Sequence, residues 1–134
     1  MLFKSPLPRP SSSVEYPSGV FVETEKGYFY IATPSKRYHV TTRRVLDSWS
    51  PPRVVWSSEA ACAKYRVAAK LKFRNGSLLQ DVSDGKMYFI SEGLRRHLTS
   101  PEAFEKVGAV SKNPGIVRVS QDEINLHKEG TPLN

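Results

Sequence analysis

Hydrophobic and polar positions alternate along this chain in short bursts rather than at helical spacing, which predicts strands joined by tight turns. Residues 19–24 and 28–32 are apolar, β-branched or aromatic and flank Glu25, Lys26 and Gly27. They read as a hairpin whose glycine takes a positive φ. Pro34 and Ser35 then turn the chain into a third strand over residues 36–40. The same order returns later, with turns at Ser83-Asp84-Gly85 and Glu92-Gly93. After it, Thr99 and Ser100 supply hydroxyl caps, Pro101 suits a first helical turn and Glu102 faces the positive end of the helix dipole. Ala103, Phe104 and Val107 give a two-turn helix ending at Gly108 its apolar face. Residues 115–119 read as a strand, and Ser120-Gln121-Asp122-Glu123 as a capping box opening a last helix, with Ile124 and either Leu126 or His127 inward. Residues 70–79 alternate about Asn75-Gly76, the strongest short hairpin signal in the chain, and are expected to stitch its halves into one continuous body.

Comparing the chain with itself explains why the order recurs. Residues 28–49 align without a gap to residues 86–107, setting Tyr30 on Tyr88, Arg37 on Arg95, His39 on His97 and Thr41 on Thr99. Gly19 matches Gly76, Gly27 matches Gly85, and residues 52–55 match residues 114–117, with Ser58 on Ser120. The expected fold class is α+β: two tandem β-β-β-α-β-α repeats, residues 19–70 and 71–134, forming one small body. A unit of roughly 55 to 60 residues is marginal alone, so the two copies are expected to support each other.

Residues 1–18 stand apart, because Pro6, Pro8, Pro10 and Pro17 lack amide donors and exclude a regular helix or central strand. This is an extended arm. It is either a disordered terminus or a segment that orders by lying on a neighbouring subunit. Leu2, Phe3, Leu7, Val14 and Tyr16 give it apolar anchors that a linker would not need.

Charge changes the picture only locally. The 134 residues carry Lys+Arg 20 against Asp+Glu 13, a net +7, which invites an acidic partner. The excess is uneven: residues 59–75 hold five basic and one acidic side chain, whereas residues 76–134 hold seven and eight. Arg43, Arg44, Lys70, Lys72 and Arg74, interleaved with Tyr65 and Phe73, form a candidate basic patch with stacking rings. The competing reading turns the rings inward as core and leaves the charges solvated. Because an arginine pair recurs at Arg95-Arg96 in the near-neutral second copy, the repeated arginine is expected to serve the fold, satisfying carbonyls or stacking on the repeated tyrosine.

Catalytic chemistry is hard to assemble. His39 and His97 occupy equivalent repeat positions, which argues for architecture, and the third histidine, His127, has no partner motif. The single cysteine, Cys62, has no disulfide partner and belongs with Tyr65 on a short amphipathic helix. Carboxylate pairs such as Asp81 with Asp84 and Glu102 with Glu105 fall on turns or an exposed helix face. No cofactor, metal or catalytic residue is expected. No apolar run is long enough to span a membrane and the start lacks the apolar stretch of a secretory signal, so folding in the cytosol is expected.

Lys86-Met-Tyr-Phe-Ile-Ser-Glu-Gly-Leu-Arg-Arg-His-Leu-Thr-Ser-Pro-Glu-Ala-Phe, followed by Gly108, Ile116-Val-Arg-Val-Ser-Gln-Asp-Glu-Ile and Glu129-Gly-Thr-Pro-Leu, resembles a known repeat. That repeat, about fifty residues long, is found in actinobacterial exported proteins and in minor tail or other virion proteins of their phages. The match covers residues 76–134. Residues 19–66 resemble a degenerate copy, without the second-turn glycine and the Ser-Pro-Glu start. The resemblance implies a non-enzymatic structural component of a tailed-phage virion, assembled in the host cytoplasm. Such a protein docks on other virion proteins through its arm and β edges, in multiple copies of a symmetric assembly. Two other classes stay open. One is a nucleic-acid-binding accessory protein using the basic patch. The other is a carbohydrate or cell-envelope module using Trp49 and Trp56.

Overall fold

A computed structural model of the chain describes residues 7–51, 53–110 and 115–134. The fold is α+β, built from two mixed sheets and a few short helices. Contacts divide it into two compact units.

The described residues of 7–41 and 51–71 make the first unit. Its strands are β1 (Phe21–Thr24), β2 (Gly27–Ala32), β3 (Lys36–Val40), β4 (Val54–Trp56) and β5 (Arg66–Lys70), in the order β4-β1-β2-β3-β5. The three central strands run antiparallel, while β4 and β5 lie parallel to their neighbours. Tyr16, Val22, Phe29, Ile31, Cys62 and Tyr65 form the core, with Val14, Val20 and Val55 packed against it. Burying each of the larger side chains contributes roughly 1.5 to 3 kcal/mol.

The second unit comprises Thr42–Ser50 and Lys72–Asn134. It holds α1 (Arg43–Ser48), β6 (Leu78–Asp81), β7 (Met87–Ser91), β8 (Leu94–His97), α2 (Pro101–Val110), β9 (Ile116–Val119) and α3 (Gln121–Ile124), with strand order β8-β7-β6-β9. Ala103 and Val107 of α2 pack on Leu78 and Leu98, with Met87, Phe89, Phe104 and Leu133 around them. Ser100 accepts from the Ala103 amide at the start of α2, as its hydroxyl predicts. The helix runs two residues past Gly108. The unit boundary between Leu71 and Lys72 lies close to the expected repeat boundary, but the first copy's helix, α1, belongs to the second unit.

Both sheets are wired alike. In each, a three-strand antiparallel meander is flanked, beside its first strand, by a parallel strand that follows the helix. Beyond the third strand, β5 pairs in parallel with β3, and in the second unit Arg95 with Glu129 and Leu98 with Leu133 form isolated parallel bridges at the same place. The pairings also refine the alignment. Phe29 pairs with His39 as Tyr88 pairs with His97, so Phe29, not Tyr30, is the counterpart of Tyr88. Turn lengths cause the slip. Two residues separate β1 from β2 but five separate β6 from β7, while three separate β2 from β3 and two separate β7 from β8. Glu92 (φ 53°) and Gly93 (φ 78°) are both left-handed, the backbone of a two-residue hairpin turn. The first unit makes the same reversal with Thr33, Pro34 and Ser35, hence its missing glycine.

The hairpin expected about Asn75-Gly76 does not form. β5 and β6 lie in different sheets, and the alternation between them is that of a connector burying Leu71 and Phe73. The Asn75 side chain accepts from the Gly93 amide, and the Gly76 amide donates to Ile90 across β7. The helix expected to carry Cys62 and Tyr65 does not form: residues 59–64 are successive turns, with the Cys62 amide donating to Ser58 at 3.1 Å and the Tyr65 amide to Cys62 at 2.9 Å.

The Ser120 capping box is present. The Glu123 amide donates to Ser120 Oγ at 3.2 Å, and the Ser120 amide to Glu123 Oε1 at 2.9 Å. Thr42, which caps α1, donates from its hydroxyl to Glu123 Oε2 at 2.7 Å, so one buried carboxylate ties two helix starts together. Ser120→Ala should lower the stability of the second unit by about 1 kcal/mol. Urea denaturation followed at Trp49, the tryptophan of that unit, checks this.

Candidate interaction surfaces

The described part of the arm is anchored on its own chain. Tyr16 is buried in the first core; its amide donates to the Tyr65 hydroxyl at 2.8 Å and its own hydroxyl shares a 2.6 Å bond with Ser57. Val14 packs against the same cluster and its amide donates to Ala61. These two expected anchors for a neighbour are therefore corrected to intramolecular core residues, because the sheet offered an apolar seat within reach. Leu7 remains 77% exposed, and Leu2 and Phe3 lie outside the described residues.

Arg9, which sequence reasoning passed over, holds the arm down. Its guanidinium lies 3.6 Å from the Trp56 ring centroid and donates to the carbonyls of Glu23 (3.1 Å) and Ser57 (2.9 Å). The Trp56 indole donates to the Leu7 carbonyl at 2.7 Å. A basic residue set among prolines was the available signal. Trp56 is thus half-buried beneath the arm, and Trp49, also half-buried, donates to the Lys72 carbonyl at 2.9 Å. Neither presents the open ring that the glycan reading expected.

Of the basic residues, Lys70 belongs to the first unit and the other four to the second. Arg43 pairs with Asp47 at 3.2 Å, one helical turn on. Arg44 donates to the Arg118 carbonyl at 2.9 Å and lies 3.9 Å from Glu123. Lys70, Lys72 and Arg74 are exposed.

The repeated arginines serve the fold. Arg37 lies 4.4 Å from the Phe29 ring centroid, donates through Nε to the Tyr65 carbonyl at 2.8 Å, and clasps Glu59 with both terminal nitrogens at 2.9 and 2.8 Å. Arg95 lies 5.8 Å from the Tyr88 centroid and donates to the carbonyls of Ile124 (3.1 Å) and His127 (3.2 Å). The repeated histidines rest against the same rings, His39 at 5.3 Å from Phe29 and His97 at 5.5 Å from Tyr88. Glu59 was not anticipated; its position after the Ser58 cap gave no hint of an arginine arriving from β3.

Cys62 and His127 are buried. Among the described residues, no three His, Cys, Asp or Glu side chains come together as metal ligands, and no helix is long and apolar enough to cross a membrane. Compared with protein-family models, curated proteins and solved structures, the chain matches none.

Proposed function

We propose that the chain is a non-enzymatic structural protein of a tailed-phage particle that docks on other virion proteins. One observation carries the non-enzymatic part of this reading: of the polar residues that recur between the two units, Arg37 and Arg95 donate to carbonyls of the fold and His39 and His97 rest on Phe29 and Tyr88. Side chains used that way have little capacity left for substrate. The resemblance of residues 76–134 to the virion repeat supplies the context, and the exposed start of the arm at Leu7 and the sheet edges supply surfaces to dock with. Mass spectrometry of gradient-purified particles from the phage that carries the gene should find the chain at a fixed ratio to the other virion proteins. Its absence from intact particles would remove the reading.

A further inference from the structure

The outer strand of the first sheet is open in a way that its counterpart in the second sheet is not. β5 pairs with β3 on one side, and among the described residues no strand borders its other side. At the equivalent place in the second unit, residues 129–133 make only two isolated bridges and contain Gly130 and Pro132. A proline has no N–H to offer a ladder, so it closes that edge to a further strand. β5 runs Arg66-Val67-Ala68-Ala69-Lys70 with a bulge at Ala68, where its register with β3 shifts, and is exposed at every position but Ala68, with Val67 at 49%.

We propose that β5 is a docking edge for an extended acidic segment of another protein, which adds a sixth strand to the first sheet. The proposal rests on the docking reading above and names its surface and the chemistry of its partner. Backbone groups along the open edge supply the pairing, as in strand addition generally. Charge selects the occupant. β5 has a basic residue at each end and no acid, and Lys36 stands beside Arg66 in the β3–β5 register. Residues 1–41 and 51–71 together hold nine Lys or Arg against four Asp or Glu. Because the bulge breaks the alternation, Arg66 shares a face with Lys36 and Lys70 the other face with His39, so an incoming strand meets a base on either face.

The same charges disfavour a second copy of this chain. Pairing β5 with the β5 of a second copy brings two Arg66 and two Lys70 together with no acid in either strand to offset them. Guarding an edge against self-association and reserving it for an acidic partner are thus two results of one charge pattern. A nucleic-acid strand fits less well, because β5 offers no ring on which bases could stack.

The Arg66 amide points inward to the Ser35 carbonyl at 2.9 Å, so the next amide, that of Val67, points out along the open edge. The full chain, isotope-labelled, is titrated with a peptide alternating Glu with Val and Thr, and with the same peptide carrying Lys in place of Glu. The acidic peptide should slow Val67 amide exchange at least about tenfold and the basic one should not. Arg66→Glu/Lys70→Glu, which alters only exposed side chains, should reverse that preference. Equal protection by both peptides, none at about 1 mM, or protection by a single-stranded oligonucleotide in place of the acidic peptide would overturn the proposal. The two readings fail separately. Val67 protection with the chain absent from particles removes the virion context alone, and the chain present on particles without Val67 protection removes this edge alone.

Discussion

Arg37→Met should lower the unfolding free energy of the first unit by roughly 3 kcal/mol, the cost of leaving a largely buried carboxylate without its cation. Arg37 is 8% exposed and Glu59 25%, so water relieves part of the loss but not most of it. Thr24 would still donate to Glu59, whereas the Tyr65 carbonyl would lose its donor. Methionine retains most of the arginine's volume and its contact with Phe29, so the effect reports charge and hydrogen bonding rather than a cavity. Glu59→Gln on top of Arg37→Met should recover part of the loss, because a neutral amide tolerates the site better than an orphaned carboxylate. Trp56 in a Trp49→Phe background reports the first unit alone. A loss below about 1 kcal/mol would mean that water replaces the pair at little cost.

The same pair sets an acid limit. The two Arg37 hydrogen bonds, helped by Thr24 and opposed by burial, hold the Glu59 carboxyl at about 2, below its ordinary 4.5. A depressed carboxyl contributes stability that is fully present above pH 4.5 and is lost as pH falls through about 2. The Arg37→Met chain should therefore show a much flatter acid limb for the first unit.

His127→Ala should cost the second unit roughly 2 to 4 kcal/mol, from a cavity and an unsatisfied amide together. The ring is 2% exposed and stacks on Phe73 at 6.0 Å. The Gly93 carbonyl, 2.8 Å from Nδ1, can only accept, so the proton sits on Nδ1 and Nε2 accepts from the Phe73 amide at 3.0 Å. A second proton would abolish that acceptor. Burial first, then the charges of Lys72 and Arg95, lower the affinity of His127 for that proton, against the pull of the Gly93 carbonyl. Because the native value lies below the ordinary 6.5, stability is fully present above that pH. It falls as the pH drops, by up to about 1.4 kcal/mol per pH unit, until the native group also titrates. His127→Gln should flatten that slope below about pH 6.5 when unfolding is followed at Trp49, even if its midpoint is lower. An unchanged slope would mean that another group drives the acid limb.

How much of this was legible follows from how far each signal travels along the chain. The Ser120 box acts over three residues, the Ser100 cap over a similar span, and β3 sits between its own turn residues; all three could be read directly. The partners of the outer strands could not. β4, β5 and β9 pair in parallel with partners tens of residues away, and nothing local distinguishes an extended connector such as 71–77 from a hairpin arm. The Asn75-Gly76 signal was genuine turn chemistry in the wrong context, since Gly76 does take φ 93° but leads into β6, not back along β5. The repeated arginine was legible because it appears twice, whereas Glu59 appears once: its aligned counterpart through the Ser58–Ser120 match is Gln121, which leaves Arg95 to bind carbonyls.

The chain passes between the two units three times, at 41/42, 50/51 and 71/72, because α1 sits with the second unit. Under tension this matters more than any single contact. A chain with one crossing lets its units part by the length of one linker, but here the loop closed through α1 must release its helix before the units can separate fully. The Thr42–Glu123 hydrogen bond and the buried Val45 and Leu46 resist that release. Pulling on the two termini should then show two events, α1 leaving the second unit and only afterwards the loss of either sheet, a mechanical behaviour that neither unit would have alone.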